Sequence, residues 1–430
     1  MRITYDSIRL RFAVRVSLLV SFLLRHLGLG EGATLPGKIL LGMVPDGIKQ
    51  LSEGLSVILV SGTNAKTTTT ALAKAGLQST YSVVSNITGA NMREGIAFSL
   101  AQGRLNKSED QIGLFEVDES YLPSVAHALS PKVVALLNLS RDQLDRVSET
   151  RMTSMKWRKY LSESPNVSVV ANCDDPLIVY AAEKARDVVW VAAGLNFKFD
   201  ARSCPNCGSE VMFSSNDWFC DCGFRRPTPR VSLIGNIIDI DGQELVLDMQ
   251  LPGRCNIANA AVALGVCLLS KVDLEDAALR ISKVNEVAGR YRRVLITGHK
   301  VRMLLTKNPA GWLEVFDMIG ADKSVVVGIN SRIADGKDPS WLWDVPFEML
   351  KGREVIASGE RAFDLSVRLR YAGVSHRLAK DPVEAIGLCS HEEVSFVGNY
   401  TSFQDLRRVI EGSNSKIPLQ LRHLAGRLSR

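Results

Sequence analysis

Ser61-Gly-Thr-Asn-Ala-Lys-Thr-Thr-Thr-Thr70 is the stretch on which the reading of this chain turns. It follows Val57-Ile-Leu-Val60, a short β-branched run, and opens a helical pattern that continues from Thr68 to Leu77. Strand, tight polar loop and helix in that order bring unbonded backbone N–H groups and the positive end of a helix to one point. That is a cradle for phosphate. In such a loop Lys66 reaches the terminal phosphates of a nucleotide and the Thr67 hydroxyl holds its Mg2+. The strict G-x-x-x-x-G-K-T form is missed at both glycines, since Val60 and Ala65 stand there. By pattern alone, a threonine-rich helix cap remains the other reading.

Working outward, Ile112-Gly-Leu-Phe-Glu-Val117, Val133-Val-Ala-Leu-Leu-Asn138, Val167-Ser-Val-Val-Ala-Asn172 and Val188-Val-Trp-Val-Ala192 are further apolar runs with helical segments between them. The alternation predicts an α/β fold with a doubly wound, mostly parallel sheet and ligands at the carboxyl ends of its strands. Strand-like segments surround Asp239-Ile-Asp-Gly242, and a helix is expected over Asn256–Ser270. A second α/β series follows: Val325-Val-Val-Gly-Ile329, Glu354-Val-Ile-Ala357 and Val394-Ser-Phe-Val397. The organisation expected is a helical lead-in (1–52), a central domain (53–295) and a C-terminal α/β domain (296–430), with the boundary near Arg290–His299. A chain of 430 residues suits two or three domains. Leu421–Arg430 is expected to be a solvated helix.

The composition, 46% hydrophobic and 23% charged, is that of a globular protein. A net charge of +6 is compatible with a polyanionic partner without choosing one. At the N-terminus Val16-Ser-Leu-Leu-Val-Ser-Phe-Leu-Leu24 is flanked by Arg9, Arg11, Arg15 and Arg25. It falls short of the roughly 20 residues of a spanning helix, and Gly28–Ala33 offers no convincing cleavage site. A packed amphipathic helix is expected, with a helix resting on the inner membrane face as the alternative. Cytoplasmic ATP chemistry is the corresponding expectation.

Eight cysteines divide unevenly. Cys173, Cys255, Cys267 and Cys389 are scattered in apolar contexts and read as reduced core thiols. Cys204-Pro-Asn-Cys207 and Cys220-Asp-Cys222 form two close pairs inside a Cys-, Pro- and Gly-rich interruption at 201–228. Two thiolate pairs with Gly208 and Gly223 behind them can converge on a structural, tetrahedral Zn2+, with a redox dithiol pair as the alternative.

Gly62-Thr-Asn-Ala-Lys-Thr-Thr68 resembles the P-loop of Mur ligases and folylpolyglutamate synthases, where glycine usually stands in place of Ala65. A left-handed backbone at Ala65 would cost on the order of 1 kcal/mol. Further segments match in the family's order. Glu116-Val-Asp-Glu119 resembles the acidic motif that supplies a Mg2+ ligand, a role carried to Glu119. Asn138-Leu-Ser-Arg-Asp-Gln-Leu-Asp145 resembles a segment in which a histidine binds a second Mg2+; Gln143 stands there instead. Asn172-Cys-Asp-Asp-Pro176 and Leu251–Ala260 resemble two later motifs, with Asn259 near the nucleotide base. Gly289-Arg290 resembles the hinge into the last domain, whose arginine contacts phosphate. The resemblance therefore implies an ATP site built from Gly62, Thr63, Asn64, Ala65, Lys66, Thr67, Thr68, Asn259 and Arg290, with Mg2+ on Thr67 and Glu119.

The four-cysteine insertion, Thr34-Leu-Pro-Gly-Lys38, Lys307–Trp312, Ala334–Asp344 and Asn399–Phe403 are similar to the branch of Mur ligases that forms the synthetase half of lipid II isoglutaminyl synthases. In that branch Arg141–Arg146 carries glutamine at the position of Gln143. The resemblance implies ATP-dependent amidation of the α-carboxyl of D-glutamate in lipid II, through an acyl phosphate, at the inner membrane face. It also implies a heterodimer with a GatD-like class I glutamine amidotransferase as ammonia source. None of the six histidines or eight cysteines here lies in a nucleophile motif. The family's partner-completing aspartate corresponds to Asp338, which on its own would read as an Asx-turn residue. An amino-acid-adding Mur ligase or a folylpolyglutamate synthase is the nearest alternative. A zinc-ribbon ATPase acting on nucleic acid is another; no aromatic RNA-binding motif or long basic run supports it.

Overall fold

The computed structural model describes residues 5–26, 33–86, 90–104, 108–141, 150–195 and 198–413. Gln143, most of the segment around it and the expected helix at 421–430 lie outside the described residues. The chain divides into two compact units: Met1–Ser140, Glu149–Gln250 and Asn256–Val284; and Arg141–Ser148, Leu251–Cys255 and Asn285–Arg430.

The first unit opens with α1 (Tyr5–His26), α2 (Thr34–Met43) and α3 (Gly47–Ser52), followed by β1 (Ser56–Ser61) and α4 (Lys66–Leu77). Then come β2 (Ser82–Ser85), α5 (Arg93–Gly103), β3 (Gln111–Val117), α6 (Leu122–Leu129), β4 (Val133–Leu136), α7 (Thr150–Ser162), β5 (Ser168–Asn172), α8 (Pro176–Ala182) and β6 (Asp187–Ala192). The expected strands form, and the runs of β1, β3, β4 and β5 are buried on both faces, as a sheet covered by helices requires. Strand β6 buries Val189 and Val191 and leaves the alternate residues half-buried. Strand β2 has no counterpart among the expected strands: Ser82-Val-Val-Ser85 is four residues at the sheet edge, too short for a periodic signal. Thr34–Lys38 opens α2, and Gly37 shows why a small residue stands there. A Cβ on Gly37 would lie 1.9 Å from the Glu94 carbonyl oxygen of α5.

The interruption at 201–228 holds the two-residue strands β7 (Met212–Phe213) and β8 (Trp218–Phe219). Strands β9 (Val231–Ile234), β10 (Ile237–Ile240) and β11 (Gln243–Val246) then extend the main sheet as antiparallel hairpins. Asp241 (φ 52°) and Gly242 (φ 92°) make the turn with both backbones left-handed, as Asp-Gly favours. Helices α9 (Arg254–Leu269) and α10 (Leu274–Ser282) follow. The nine-stranded order is β11-β10-β9-β6-β5-β4-β1-β3-β2, parallel from β6 to β2. Strand β1 lies between β3 and β4, so the chain changes direction across the sheet at its carboxyl end. That is where a ligand crevice is expected.

The second unit contains β12 (Tyr291–Ile296), β13 (His299–Leu305), α11 (Pro309–Ile319), β14 (Ser324–Gly328), β15 (Glu354–Ser358), α12 (Ala362–Tyr371), β16 (His376–Leu378), α13 (Pro382–Gly387), β17 (Glu393–Gly398) and α14 (Tyr400–Ser413). Residues 290–299, expected as the boundary, form strand β12 and its turn into β13, and the division between units falls at Val284/Asn285. The sheet order is β12-β13-β17-β14-β15-β16, with only β12 antiparallel. Met303, Val326, Ile356 and Phe396 from its strands pack with Ile386 and Phe403 from its helices. Its crossover point lies between β14 and β17; the loop leaving β14 carries Asp338, and Asn399–Phe403 joins β17 to the first turn of α14.

Candidate active site

The turn from β1 to α4 is held open by three contacts with the loop after β4. Thr63 donates its N–H to the Asn138 carbonyl (2.9 Å), Asn64 donates its N–H to Asn138 Oδ1 (3.0 Å), and Thr63 Oγ1 exchanges bonds with Ser140. Gly62 has φ +152°, and a Cβ there would lie 2.9 Å from Leu137 and 3.1 Å from the Asn138 backbone, so only glycine fits. Ala65 takes the left-handed conformation, φ 67° and ψ 0°, immediately before the first helical residue. The strain expected for a non-glycine residue is therefore present.

Lys66 is buried and paired. Its Nζ donates to the carbonyls of Gly62 and Thr63 and, at 2.9 Å, to Glu119 Oε2; the two side chains are 6% and 15% exposed. Glu119 lies two residues beyond β3, and its carbonyl accepts the Trp157 indole N–H (3.0 Å). Strand–loop–helix geometry thus converges the P-loop cation, the acidic residue and the half-buried Thr67 on one edge. Asn259 stands half-buried on α9, and Arg290 belongs to the second unit, on the turn into β12.

Two residues that organise this edge have no assigned role in the sequence motifs. Asn138 clamps the P-loop, as above. Asp175 is fully buried, caps α8 by accepting the Leu177 N–H (2.9 Å), and accepts the Leu139 N–H (2.9 Å) across from the loop after β4. Burial pushes its carboxyl up to about 6. Both sit inside motifs visible in the sequence; their partners, 74 and 36 residues away, are not.

The four thiols of Cys204, Cys207, Cys220 and Cys222 converge, all within 4.8 Å of one another. Cys204 Sγ lies 3.7 Å from Cys222 Sγ, and Cys207 Sγ lies 3.5 Å from Cys220 Sγ. A metal–thiolate distance of about 2.3 Å in a tetrahedron sets sulfurs about 3.8 Å apart, so the donor set fits Zn2+. Cys207 is held down to about 6 by hydrogen bonds from the Ser209 hydroxyl and N–H. Cys220, despite an N–H from Cys222, is pushed up to about 12 by burial and the neighbouring thiols. Crowded thiols cannot all ionise without a cation between them. The module rests on Trp218, buried with Val211 and Phe224 against Cys173 and Val179, its indole N–H on the Cys173 carbonyl (2.9 Å). Of the scattered cysteines, Cys173 and Cys267 are buried and pushed up to about 12, so they are inert thiols.

In the second unit the crossover point is stitched by the Asn399 side-chain amide, which accepts the Asn330 N–H (3.1 Å) and donates to the Asn330 carbonyl (2.6 Å). Asp335 is buried and accepts the N–H (2.9 Å) and hydroxyl of Thr401, which pins the loop to α14. Asp338 follows on an exposed turn, its Oδ1 accepting the Ser340 N–H at 2.9 Å. It is thus an Asx-turn residue in this chain, with its carboxylate at the surface. Trp343, five residues on, is exposed and meets Tyr371 of α12 edge-on at 5.3 Å. Phe363 and Val367 continue that exposed face along α12.

Comparison with known proteins agrees with this geometry. The Mur ligase middle domain matches residues 60–267, and the MurT ligase C-terminal domain matches 305–403. The lipid II isoglutaminyl synthase (glutamine-hydrolyzing) subunit MurT of Streptococcus pneumoniae is 30% identical over 375 residues, covering 80% of this chain and 83% of that one. A pseudomurein peptide ligase type C from Methanothermus fervidus superposes with a TM-score of 0.65 at 19% identity, covering 84% of this chain and 79% of that one. The MurF ligase of Thermotoga maritima, solved with ADP, superposes with a TM-score of 0.59 at 15% identity, covering 87% and 83%. With the middle domain and the C-terminal domain both matched and a MurT relative 30% identical over most of both chains, the chain belongs to the MurT family of Mur ligases.

Proposed function

We propose that this chain is the synthetase subunit of a lipid II isoglutaminyl synthase, acting in the cytoplasm at the inner membrane face. It would convert the α-carboxyl of D-glutamate in the stem peptide to D-isoglutamine, coupled to cleavage of ATP. The observation that carries the proposal is the buried Lys66–Glu119 pair at the P-loop of a chain whose MurT relative spans most of its length. A carboxylate is a poor electrophile; phosphorylation by ATP gives an acyl phosphate whose carbonyl ammonia attacks, releasing phosphate. Backbone N–H groups of Gly62–Thr68 would cradle the polyphosphate, and Lys66 would exchange Glu119 for phosphate oxygens as charge develops there. Glu119 and the Thr67 hydroxyl are the groups that would hold Mg2+, which when bound neutralises charge on the transferring oxygens. Asn259 would border the base, and Arg290 is the residue to which the family resemblance assigns a phosphate contact.

Residues 53–295 would form the ATP-binding core and 296–430 the domain that meets a GatD-like class I glutamine amidotransferase. The surface position of Asp338 supports its service to a partner's imidazole, which it would orient and stabilise as imidazolium. The exposed Trp343, Tyr371 and Phe363 beside that turn are the aromatic residues that interfaces favour. The four cysteines would hold a structural Zn2+, which supplies stability to a module too small to stand on its own core.

The test is incubation of the chain with lipid II, Mg2+, ATP and ammonium at high pH, followed by mass spectrometry of the stem peptide. A carboxyl-to-carboxamide change on D-glutamate supports the proposal. Turnover confined to a nucleotide-linked muropeptide and a free amino acid would make the chain an amino-acid-adding ligase instead.

A further inference from the structure

Helix α1 packs the wrong way round for an ordinary amphipathic helix. The residues it turns inward are mostly small: Ala13, Ser17 and Ser21 are buried, with Leu10 and Val14 partly buried against the core. Its large apolar residues point outward. Ile8 is 58% exposed, Phe12 59%, Leu19 58%, Phe22 55% and Leu23 47%. At 100° per residue these five fall within an arc of about 100°, a single stripe along the helix. Arg9, Arg11 and Arg15 are exposed on or beside the same arc, and no Asp or Glu occurs between Ile8 and His26.

We infer that α1 is an interfacial anchor that lays the first unit on an anionic lipid bilayer. An exposed apolar stripe of five large side chains marks a surface that something covers. The charge pattern selects the occupant. A second copy docking through the same face would bring the arginines of both helices into one interface, with no Asp or Glu on either stripe to pair with them. A bilayer surface accepts both features at once, the apolar side chains at the acyl boundary and the arginines snorkelling to lipid phosphates. The helix lies on the surface and does not cross it: no helix among the described residues is long and apolar enough to span a membrane. Its 22 residues give an anchor about 33 Å long. The inference goes beyond the amidation proposal and does not rest on it, because lipid binding needs neither ATP nor a partner subunit.

The experiment is co-sedimentation of the full chain with vesicles of equimolar phosphatidylcholine and phosphatidylglycerol, and with vesicles of phosphatidylcholine alone, at low and high salt. Strong binding to the anionic vesicles that weakens with salt is expected, with far weaker binding to the zwitterionic ones. The triple variant Phe12→Ser, Leu19→Ser, Phe22→Ser alters exposed residues and should keep its circular dichroism spectrum while losing about a hundredfold in partitioning. The triple variant Arg9→Gln, Arg11→Gln, Arg15→Gln should lose the preference for anionic lipid. Failure to sediment with either vesicle overturns the inference, as does equal binding by the serine variant. A concentration-dependent dimer that the serine substitutions dissociate, without vesicle binding, would overturn it too and assign the stripe to self-association.

Discussion

At the carboxyl edge of the first sheet Asn138 clamps the loop that follows β1; at the corresponding edge of the second, Asn399, just after β17, clamps the loop that follows β14. Both are crossover points of a parallel sheet, and both use amide side chains to satisfy loop backbone that would otherwise be buried and unbonded. They are finished differently. In the first unit the charged groups turn inward, Lys66 onto Glu119 and onto carbonyls of its own loop. In the second the buried carboxylate, Asp335, is taken up by Thr401, and the next one along, Asp338, is left at the surface. Under the proposed function the first edge would act on a nucleotide, and the second would offer one carboxylate to a group supplied from outside.

The sharpest way to break that contrast is Lys66→Ala. Amide formation should vanish whether ammonium or glutamine supplies nitrogen, because the phosphate cradle loses its cation while the second edge is untouched. Wild-type turnover by this variant would remove the P-loop from the chemistry. A smaller effect is expected at the thiol cluster. Anaerobically prepared chain should carry one zinc per molecule by elemental analysis. Cys204→Ser should lose that metal and loosen the module by several kcal/mol, seen as new proteolysis within 201–228. Protein free of zinc, yet equally resistant, would leave the cysteines as a packed cluster only.

The third prediction concerns the opposite, amino-terminal edge of the second sheet, where no chemistry is placed. Burial pushes Glu354 upward, yet its carboxyl is held down to about 2 by bonds from the Ser324 hydroxyl (2.6 Å), the Ser390 N–H (2.9 Å) and hydroxyl (2.7 Å), and by Arg377. A depressed carboxyl contributes stability that is complete above its ordinary value of 4.5 and is lost as pH falls from there toward 2. Glu354→Gln should therefore cost about 1–3 kcal/mol at neutral pH and flatten the acid limb of thermal stability, with both activities intact. An unchanged acid limb would contradict this. The smallest effect is at Ala65. Because φ is 67° there, Ala65→Gly should leave turnover within about twofold and raise stability by at most about 1 kcal/mol. A loss of stability would mean that the methyl group packs usefully.

Much of this is legible in the sequence because its signals are local. The run Val57–Val60 followed by Ser61–Thr70 specifies strand, loop and helix within one short segment, and Asp241-Gly242 specifies its own turn. The paired cysteines announce their convergence by spacing. What is not legible depends on distance along the chain. Nothing near Asn138 says that it will clamp a loop 74 residues earlier, and nothing near Asp335 says that it will be claimed by Thr401, 66 residues later. Strand β2 is too short to show a period. Helix α1 marks a different limit: an amphipathic pattern reports which residues share a face, and says nothing about which face turns inward.

The central claim is a division of labour in which this chain makes the amide bond and contributes Asp338 to a partner that makes the ammonia. It is tested most directly by the ratio of glutamine-driven to ammonium-driven amidation in the assembled complex, wild type against Asp338→Asn. The substitution should leave assembly and ATP binding near normal, since one rim charge rarely decides an interface. Glutamine-driven turnover should fall steeply, because an amide at that position orients the imidazole in the wrong tautomer. The corresponding aspartate-to-asparagine change in a serine protease triad lowers turnover by about 10⁴. Ammonium-driven turnover should persist, so the ratio collapses. A parallel loss of both activities would place Asp338 in the ligase site and contradict the account; an unchanged ratio would leave it a turn residue and nothing more.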